Sequence, residues 1–285
     1  MDYKILENEN VVINEKDGIH YLQFRKLLEY DNLIGHAFSI GRDLNFRTAP
    51  KNGMDYLPKE EMDIAINNYR KLCTAIGFEY KNLIRPTMSH SDNVQIVNEK
   101  INKDTPDMNI PSLENTDGLI TDKREFILTT TGSDCITMVF FDPVKKVLGN
   151  VHSGWRGTLA GISHNAVEKL KENFNVDAKN LICCMAPAIR KCHFEVDKDV
   201  ADMFYKKYKY FSDIDEIISK GSGGNPKKYY IDTIKININL LLDDGLKQEN
   251  IIDSKICTVC NESMINSFRA HKAGFGLNAL IAGLR

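Results

Sequence analysis

Three side chains in this sequence are of the types that build a reactive centre and have a way to meet: Cys135, His152 and His90. Cys135 precedes an apolar, β-branched and aromatic run, Ile136-Thr137-Met138-Val139-Phe140-Phe141. His152 follows a second, Val147-Leu148-Gly149-Asn150-Val151. Between the runs lies Asp142-Pro143-Val144-Lys145-Lys146, a turn signal, so the stretch reads as a hairpin. With the turn centred on residues 144 and 145, Cys135 lies opposite the stretch just after His152, and thiol and imidazole meet at the open end. His152 leads into Ser153-Gly154-Trp155-Arg156-Gly157. Glycines there permit a tight loop with exposed N–H groups, and Arg156 adds a fixed positive charge. A helix is expected directly after Gly157, and helix N-termini attract anions.

Three kinds of behaviour fit these residues. Two imidazoles and a thiolate make three ligands for a zinc ion and leave a fourth position for water, whose pKa falls toward neutrality so that hydroxide can attack an electrophilic carbon. Alternatively, Cys135 is the nucleophile of a metal-free hydrolase or deamidase and His152 is its base. In the third reading the residues are structural, or hold zinc without turnover. His90 separates the readings. It lies in the polar turn Met88-Ser89-His90-Ser91-Asp92-Asn93 and contributes only if the fold carries that turn to the hairpin end.

The other cysteines point less clearly to chemistry. Cys192 and His193 are adjacent, so on a strand they would face opposite ways and could share a ligand only from a loop. Cys257-Thr258-Val259-Cys260 is a single Cys-x-x-Cys, two ligands short of a structural zinc site. Its place near the end of the chain does not suit a thioredoxin-like unit either. Cys73 belongs to an apolar helix face, with Met62, Ala65, Ile66, Tyr69, Leu72 and Ile76 ahead of a terminating Gly77, and reads as core.

The elements that must position these groups are short. Residues 11–14 and 19–24 form a second hairpin around Glu15-Lys16-Asp17-Gly18. Residues 33–40, 83–87, 94–97, 118–121 and 126–131 read as strands, the last two feeding the central hairpin. Residues 47–58 and 99–116 read as loops, the second of them exposed. Leu159, Ile162, Ala166, Val167, Leu170 and Phe174 form one helical stripe after Gly157. Further on, 181–185 reads as a buried strand, 197–208 as a helix and the glycine-rich 218–228 as a surface loop. Residues 232–244 read as a helix: Ile234, Ile236 and Ile238 alternate like a strand, but length and Gly245 decide against it.

Composition bounds the class. The 285 residues are 42% hydrophobic and 27% charged, a globular profile, and suffice for one large domain. A net charge of −2 gives no support to a nucleic-acid or anionic-membrane partner. No apolar run is long enough to span a bilayer, and the first residues lack a signal-peptide core, so a cytoplasmic protein with reduced cysteines is expected. The sequence leaves the oligomeric state open, a monomer being one option. Copper oxidation is not expected: a multicopper site needs roughly ten histidines, mostly as His-x-His pairs. This chain has seven histidines and no such pair.

The combination Asp117-Gly118-Leu119-Ile120-Thr121-Asp122, Ser133-Asp134-Cys135, Asp142-Pro143 and His152-Ser153-Gly154-Trp155-Arg156-Gly157 closely resembles the YfiH/DUF152 family, long labelled polyphenol oxidase or laccase-like. His90-Ser91-Asp92, Ala186-Pro187-Ala188-Ile189 with Cys192-His193-Phe194-Glu195-Val196, and Cys257-Thr258-Val259-Cys260 with Phe268-Arg269 resemble further family segments. The resemblance runs over most of the chain and implies an α/β (α+β) fold, residues 1–285 as one domain of mixed sheets flanked by helices, related to the deamidase domain of cytotoxic necrotizing factor. It implies one zinc held by His90, Cys135 and His152. It also implies phosphorolysis of adenosine, inosine, guanosine and methylthioadenosine, and deamination of adenosine. In one segment the chain departs from the family. His36-Ala37-Phe38-Ser39 is followed by Ile40-Gly41-Arg42-Asp43 where the family has Thr-Arg-x-Gly-Gly-Val-Ser, so the arginine is displaced. Leu44-Asn45-Phe46 then resembles the family's Leu-Asn-Leu. On this reading Asp134, beside Cys135, is the candidate proton carrier. Arg156 and Arg42 are candidate phosphate ligands, with Asn45 near the substrate.

Overall fold

The computed structural model describes residues 1–48, 57–98, 113–221 and 227–285. Its strands are, in chain order, β1 (Val11–Lys16), β2 (Ile19–Phe24), β3 (Ile34–Ile40), β4 (Leu83–Ile84), β5 (Val94–Ile96), β6 (Gly118–Thr121), β7 (Ile127–Gly132), β8 (Ile136–Asp142), β9 (Val147–Ser153), β10 (Ile182–Met185), β11 (Glu195–Val196), β12 (Ile218–Lys220), β13 (Tyr229–Ile231), β14 (Ile251–Asp253) and β15 (Asn278–Leu284). The helices are α1 (Arg25–Leu28), α2 (Lys59–Ala75), α3 (Trp155–Ala160), α4 (Ile162–Phe174), α5 (Lys198–Tyr208), α6 (Ile214–Ile217), α7 (Thr233–Asp243) and α8 (Phe268–His271). The first sheet runs β1-β2-β3-β15-β7-β4, the second β14-β10-β8-β9-β6-β5, and a small third β11-β13-β12.

The two large sheets lie face to face, and helices cover their outer faces. Leu22, Phe24, Phe38, Leu128 and Leu280 of the first sheet share one buried cluster with Leu119, Val139, Phe141, Leu148 and Ile182 of the second. The other face of the second sheet, with Met138, Phe140, Val151 and Cys183, packs on Ile162, Ala166 and Leu170 of α4 and Ile234 and Leu241 of α7. The other face of the first, with Ile19, Tyr21, Ala37 and Ile281, packs on Tyr69, Leu72 and Cys73 of α2. Strands buried on both faces need apolar side chains on both, which is why β8 and β9 read as near-continuous apolar runs. This is the mixed-sheet α+β architecture expected, and the core position of Cys73 holds.

The central hairpin adopts the expected register: Thr137 pairs with His152 and Ile136 with Ser153. Asp142 fixes its turn by accepting from the backbone N–H groups of Val144 at 2.7 Å and Lys145 at 3.0 Å. Strand alternation then does the positioning. Leu148, Asn150 and His152 share one face of β9, and that face is turned to the first sheet.

Several expectations need correction. β7 does not join the central hairpin; it pairs with β15 and β4 in the first sheet, because pairing partners are chosen across the whole core and not by sequence proximity. The stripe after Gly157 is two helices: Gly161, at φ 94°, ends α3 and starts α4 in a new direction. Of the loop expected at 99–116, residues 99–112 lie outside the described residues, and Leu113 and Thr116 are buried, not exposed. The loop expected at 47–58 holds at 47–48 and 57–58, where no helix or strand forms, while residues 49–56 lie outside the described residues. Within 218–228, Ile218–Lys220 pairs with β13 as a strand, while 222–226 lie outside the described residues.

Asn150 is the polar tie between the sheets. Its Oδ1 accepts from Thr130 Oγ1 at 2.6 Å, and its Nδ2 donates to the carbonyls of Leu128 at 3.0 Å and Leu280 at 2.9 Å. Asn150→Ala strands these groups in a dry interior and leaves a cavity. The expected outcome is a loss of about 2–4 kcal/mol, read from the urea midpoint with the slope unchanged.

Candidate metal centre

The site begins with a carboxylate. Asp117 is fully buried just ahead of β6, and five donors converge on it. The backbone N–H groups of Ser89, His90 and Ser91 donate at 3.2, 3.1 and 2.7 Å, Ser91 Oγ at 2.6 Å and His152 Nδ1 at 2.8 Å. Its carbonyl also accepts the His152 N–H at 2.6 Å. β5 and β6 run parallel, so residues 89–91 pass directly beside Asp117. The three amides wrapped around one carboxylate hold His90 at φ 62°, a left-handed conformation that an L-residue keeps only when its surroundings fix it. Burial pushes the Asp117 carboxyl up, but His152 and Ser91 outweigh it and hold the group at about 2.

Asp117 also chooses the His152 tautomer. With Nδ1–H donated to the carboxylate, the Nε2 lone pair is left to face the other ligands. The rings of His90 and His152 lie edge to face with centroids 5.1 Å apart. One donor atom each from His90, Cys135 and His152 lies within 4.8 Å of the others. Burial alone would push the Cys135 thiol up and the His152 imidazole down. Their mutual attraction, with help from Asp117 and His90, reverses both shifts as long as no metal takes the Nε2 lone pair, lowering the thiol and raising the imidazole. Gly154 makes the space: a Cβ there would stand 2.6 Å from His90 Cδ2 and 3.3 Å from Cys135 Sγ. Two imidazoles and one thiolate around such a space suit zinc in their chemistry, and Asp117 supplies the outer hydrogen bond that metal-binding histidines make.

The other expected site residues stand around this core at different removes. Asp134 accepts from Thr258 Oγ1 at 2.6 Å and Ser267 Oγ at 2.7 Å through Oδ1, and from the Arg269 N–H at 2.7 Å through Oδ2. Arg156 is exposed, with its guanidinium 4.2 Å above the Trp155 ring. Both sit in the first turn of α3 and not in a loop, with Gly154 as N-cap. That turn is close to His90, since a Cβ at Gly157 would lie 3.1 Å from the Ser91 carbonyl oxygen. Arg42 is exposed just beyond β3; because β3 and β7 flank β15 in the same direction, Arg42 and Cys135 leave the sheet at one end, two strands apart. Asn45 Oδ1 accepts from the Leu277 N–H at 3.0 Å, while Ser133 Oγ donates to the neighbouring Gly276 carbonyl at 2.6 Å.

Two residues escaped the sequence reading. Asp117 was legible only as one letter of a motif, because its role depends on the parallel β5–β6 pairing that lays the His90 turn beside it. Arg47 lies 4.4 Å over the Phe275 ring, and its buried Nε has no hydrogen-bond partner among the described residues.

Comparison with known proteins adds an independent line. Residues 54–285 match the family model described as multi-copper polyphenol oxidoreductase laccase. The mouse (Mus musculus) protein named purine nucleoside phosphorylase LACC1 is 29% identical over 222 residues, covering 76% of this chain but 47% of that protein. The chain thus spans about half the length of that relative. A protein of an unknown prokaryotic organism, named adenosine deaminase RL5, is 26% identical over 75% of this chain and 78% of its own length. The crystal structure of the Bacillus licheniformis hypothetical protein YfiH superposes with a TM-score of 0.80, covering 93% of this chain and 96% of that one at 22% identity, which shows the same fold. No helix among the described residues is long and apolar enough to cross a membrane.

Asp117→Asn gives two readouts. Zinc affinity, measured against a chromophoric chelator, is expected to fall about 10–100-fold, because His152 loses its anchor. Since the folded-state pKa is depressed, the stability it confers is present above the unfolded value near 3.8 and lost as pH falls toward about 2. In urea titrations of the chelated protein, wild type is expected to exceed the variant by at least about 2 kcal/mol at pH 7, the gap narrowing across that acid window.

Proposed function

The chain belongs to the laccase-like family of the YfiH and DUF152 proteins, and from that premise we propose that it is a zinc-dependent enzyme of purine nucleosides. The observation that carries the reading is the convergence of His90, Cys135 and His152 around the space left by Gly154, with His152 oriented by Asp117. Three protein ligands leave a coordination position open, as in catalytic zinc sites, whereas structural sites use four. The names of the mouse and prokaryotic relatives supply the substrate class. Multicopper chemistry is disfavoured by the absence of any His-x-His pair.

Two reactions are proposed, hydrolytic removal of the adenosine C6 amine as ammonia and phosphorolysis of purine nucleosides. A zinc ion in this site supplies Lewis acidity and hydroxide near neutral pH. The chain supplies the rest. Asp117 and Gly154 keep the ligands in place. Asp134, tied to Thr258, Ser267 and Arg269, fixes the wall beside Cys135; its Oδ2 is the proposed proton carrier. Arg156, exposed near the His90 turn, is the proposed phosphate ligand, and Arg42, at the same sheet end, a second cation. In phosphorolysis, phosphate forms the new bond at ribose C1′ as the bond to the purine nitrogen breaks, giving free base and ribose 1-phosphate. Asn45 is proposed to hold the Leu277 segment at the substrate's edge. The favoured Cys135 thiolate supports one other reading, a metal-free cysteine hydrolase or deamidase.

The test is adenosine, with and without phosphate, and product separation. Inosine is expected in both tubes, and free base with ribose 1-phosphate only where phosphate is present. Chelation is expected to stop both reactions and zinc to restore them; activity that survives chelation, with an adduct on Cys135, establishes the cysteine reading instead. Arg156→Ala is expected to slow phosphorolysis roughly ten- to a hundredfold, the loss of one charge-assisted contact, and to spare deamination. Zinc bound with no nucleoside turned over leaves a binding protein.

A further inference from the structure

Away from that site, two turns distant in sequence bring together four more metal-ligating side chains. Cys192 and His193 lie in a turn after β10, where adjacent residues need not face opposite ways. Cys257 and Cys260 lie in a turn after β14. The sulfur of Cys192 is 3.7 Å from that of Cys257 and 3.9 Å from that of Cys260. Nδ1 of His193 is 3.2 Å from Cys192, 3.7 Å from Cys257 and 3.6 Å from Cys260. A tetrahedral zinc, with sulfur at about 2.3 Å and nitrogen at about 2.0 Å, has S···S edges of about 3.8 Å and S···N edges of about 3.5 Å. The observed separations fall around these edges. They are also far beyond the roughly 2.05 Å of a disulfide.

We propose that Cys192, His193, Cys257 and Cys260 bind a second zinc ion, a structural one that clamps the two turns together. Four protein ligands close the coordination shell, in contrast to the three at His90, Cys135 and His152. The surroundings are those of a thiolate site. Backbone N–H groups of Cys260, Arg190 and Val259 point to the Cys257 sulfur, as the second shell of a bound thiolate does. The framework is fixed independently by the two-pronged pair of Arg190 with Asp253, both contacts at 2.8 Å, and by the Thr258 N–H donated to the Ala188 carbonyl at 3.1 Å.

The position gives the ion a purpose in the fold. Thr258, between the two cysteines of the Cys-x-x-Cys, donates to Asp134, and Asp134 is next to Cys135. Arg269, whose N–H Asp134 also accepts, donates through its guanidinium to the carbonyl of His193 at 2.9 Å. The second site therefore braces the segment that forms one wall of the first. This inference stands whether or not the chain acts on nucleosides.

The test is zinc content, measured by mass spectrometry on the full chain purified without a histidine tag. Two zinc ions per chain are expected, one in Cys260→Ser, one in His152→Ala and none in the combined variant. Cys260 is exposed, so its substitution leaves the core untouched, and His193→Cys, which preserves four ligands, is expected to keep both ions. Cobalt gives a second readout. His152→Ala loaded with cobalt should show thiolate charge transfer from three sulfurs, lost when Cys260→Ser is added. A wild-type chain with a single zinc that Cys260→Ser leaves in place overturns the proposal. So does an intact mass lower by two hydrogens, with Cys192 found in a disulfide and no second ion.

Discussion

A buried carboxylate with five donors is the interaction from which the rest of the site follows. Asp117 gathers three backbone amides of one turn, a serine hydroxyl and an imidazole from another strand. A charge taken out of water is tolerable only when it is this well solvated by the protein. The same requirement ties the turn holding His90 to the strand holding His152. The left-handed backbone of His90 is strain that this network holds in place. Fold and ligand geometry are, at this point, one set of hydrogen bonds.

The sheets explain why the ligands are at an end and not in the middle. β8 and β9 are covered by the first sheet on one side and by α4 and α7 on the other, so their middles are committed to apolar packing. Polar groups along the inward row of β9 need partners there. Asn150 finds them in the opposite sheet, and His152, two residues on, finds Asp117. Only past the last rung does the chain open, with glycine at 154 in place of a side chain that would fill the space.

Much of this was legible in the sequence, and the boundary of legibility is physical. The hairpin register at Thr137–His152 follows from a local turn and two apolar runs, and it was read correctly because all the determining contacts are between near neighbours. The helices α2, α5 and α7 followed from spacing and terminators for the same reason. What failed was non-local. β7 was assigned to the neighbour it follows in sequence, and it pairs with β15 instead. Cys257 and Cys260 appeared to lack ligands because Cys192 is 65 residues away from Cys257, in a turn whose position no local pattern encodes. Leu113 and Thr116 looked exposed from their polar neighbours alone, yet both are buried.

The place of β15 has a consequence for how the chain acquires this structure during synthesis. Within the first sheet, β1-β2-β3 and β7-β4 do not touch each other through hydrogen bonds; β15 is the rung that joins them. It pairs Leu280 with Phe38, more than two hundred residues earlier, and Leu280 with Thr130 on its other side. A ribosome that has released residue 150 has made both flanking strands and left a slot between them. Until residues 278–284 emerge, each flank presents an unpaired, apolar edge of the kind that recruits other chains. Closure is then a late, long-range event, slow by topology. The half-built sheet is a natural client for a chaperone that shields strand edges.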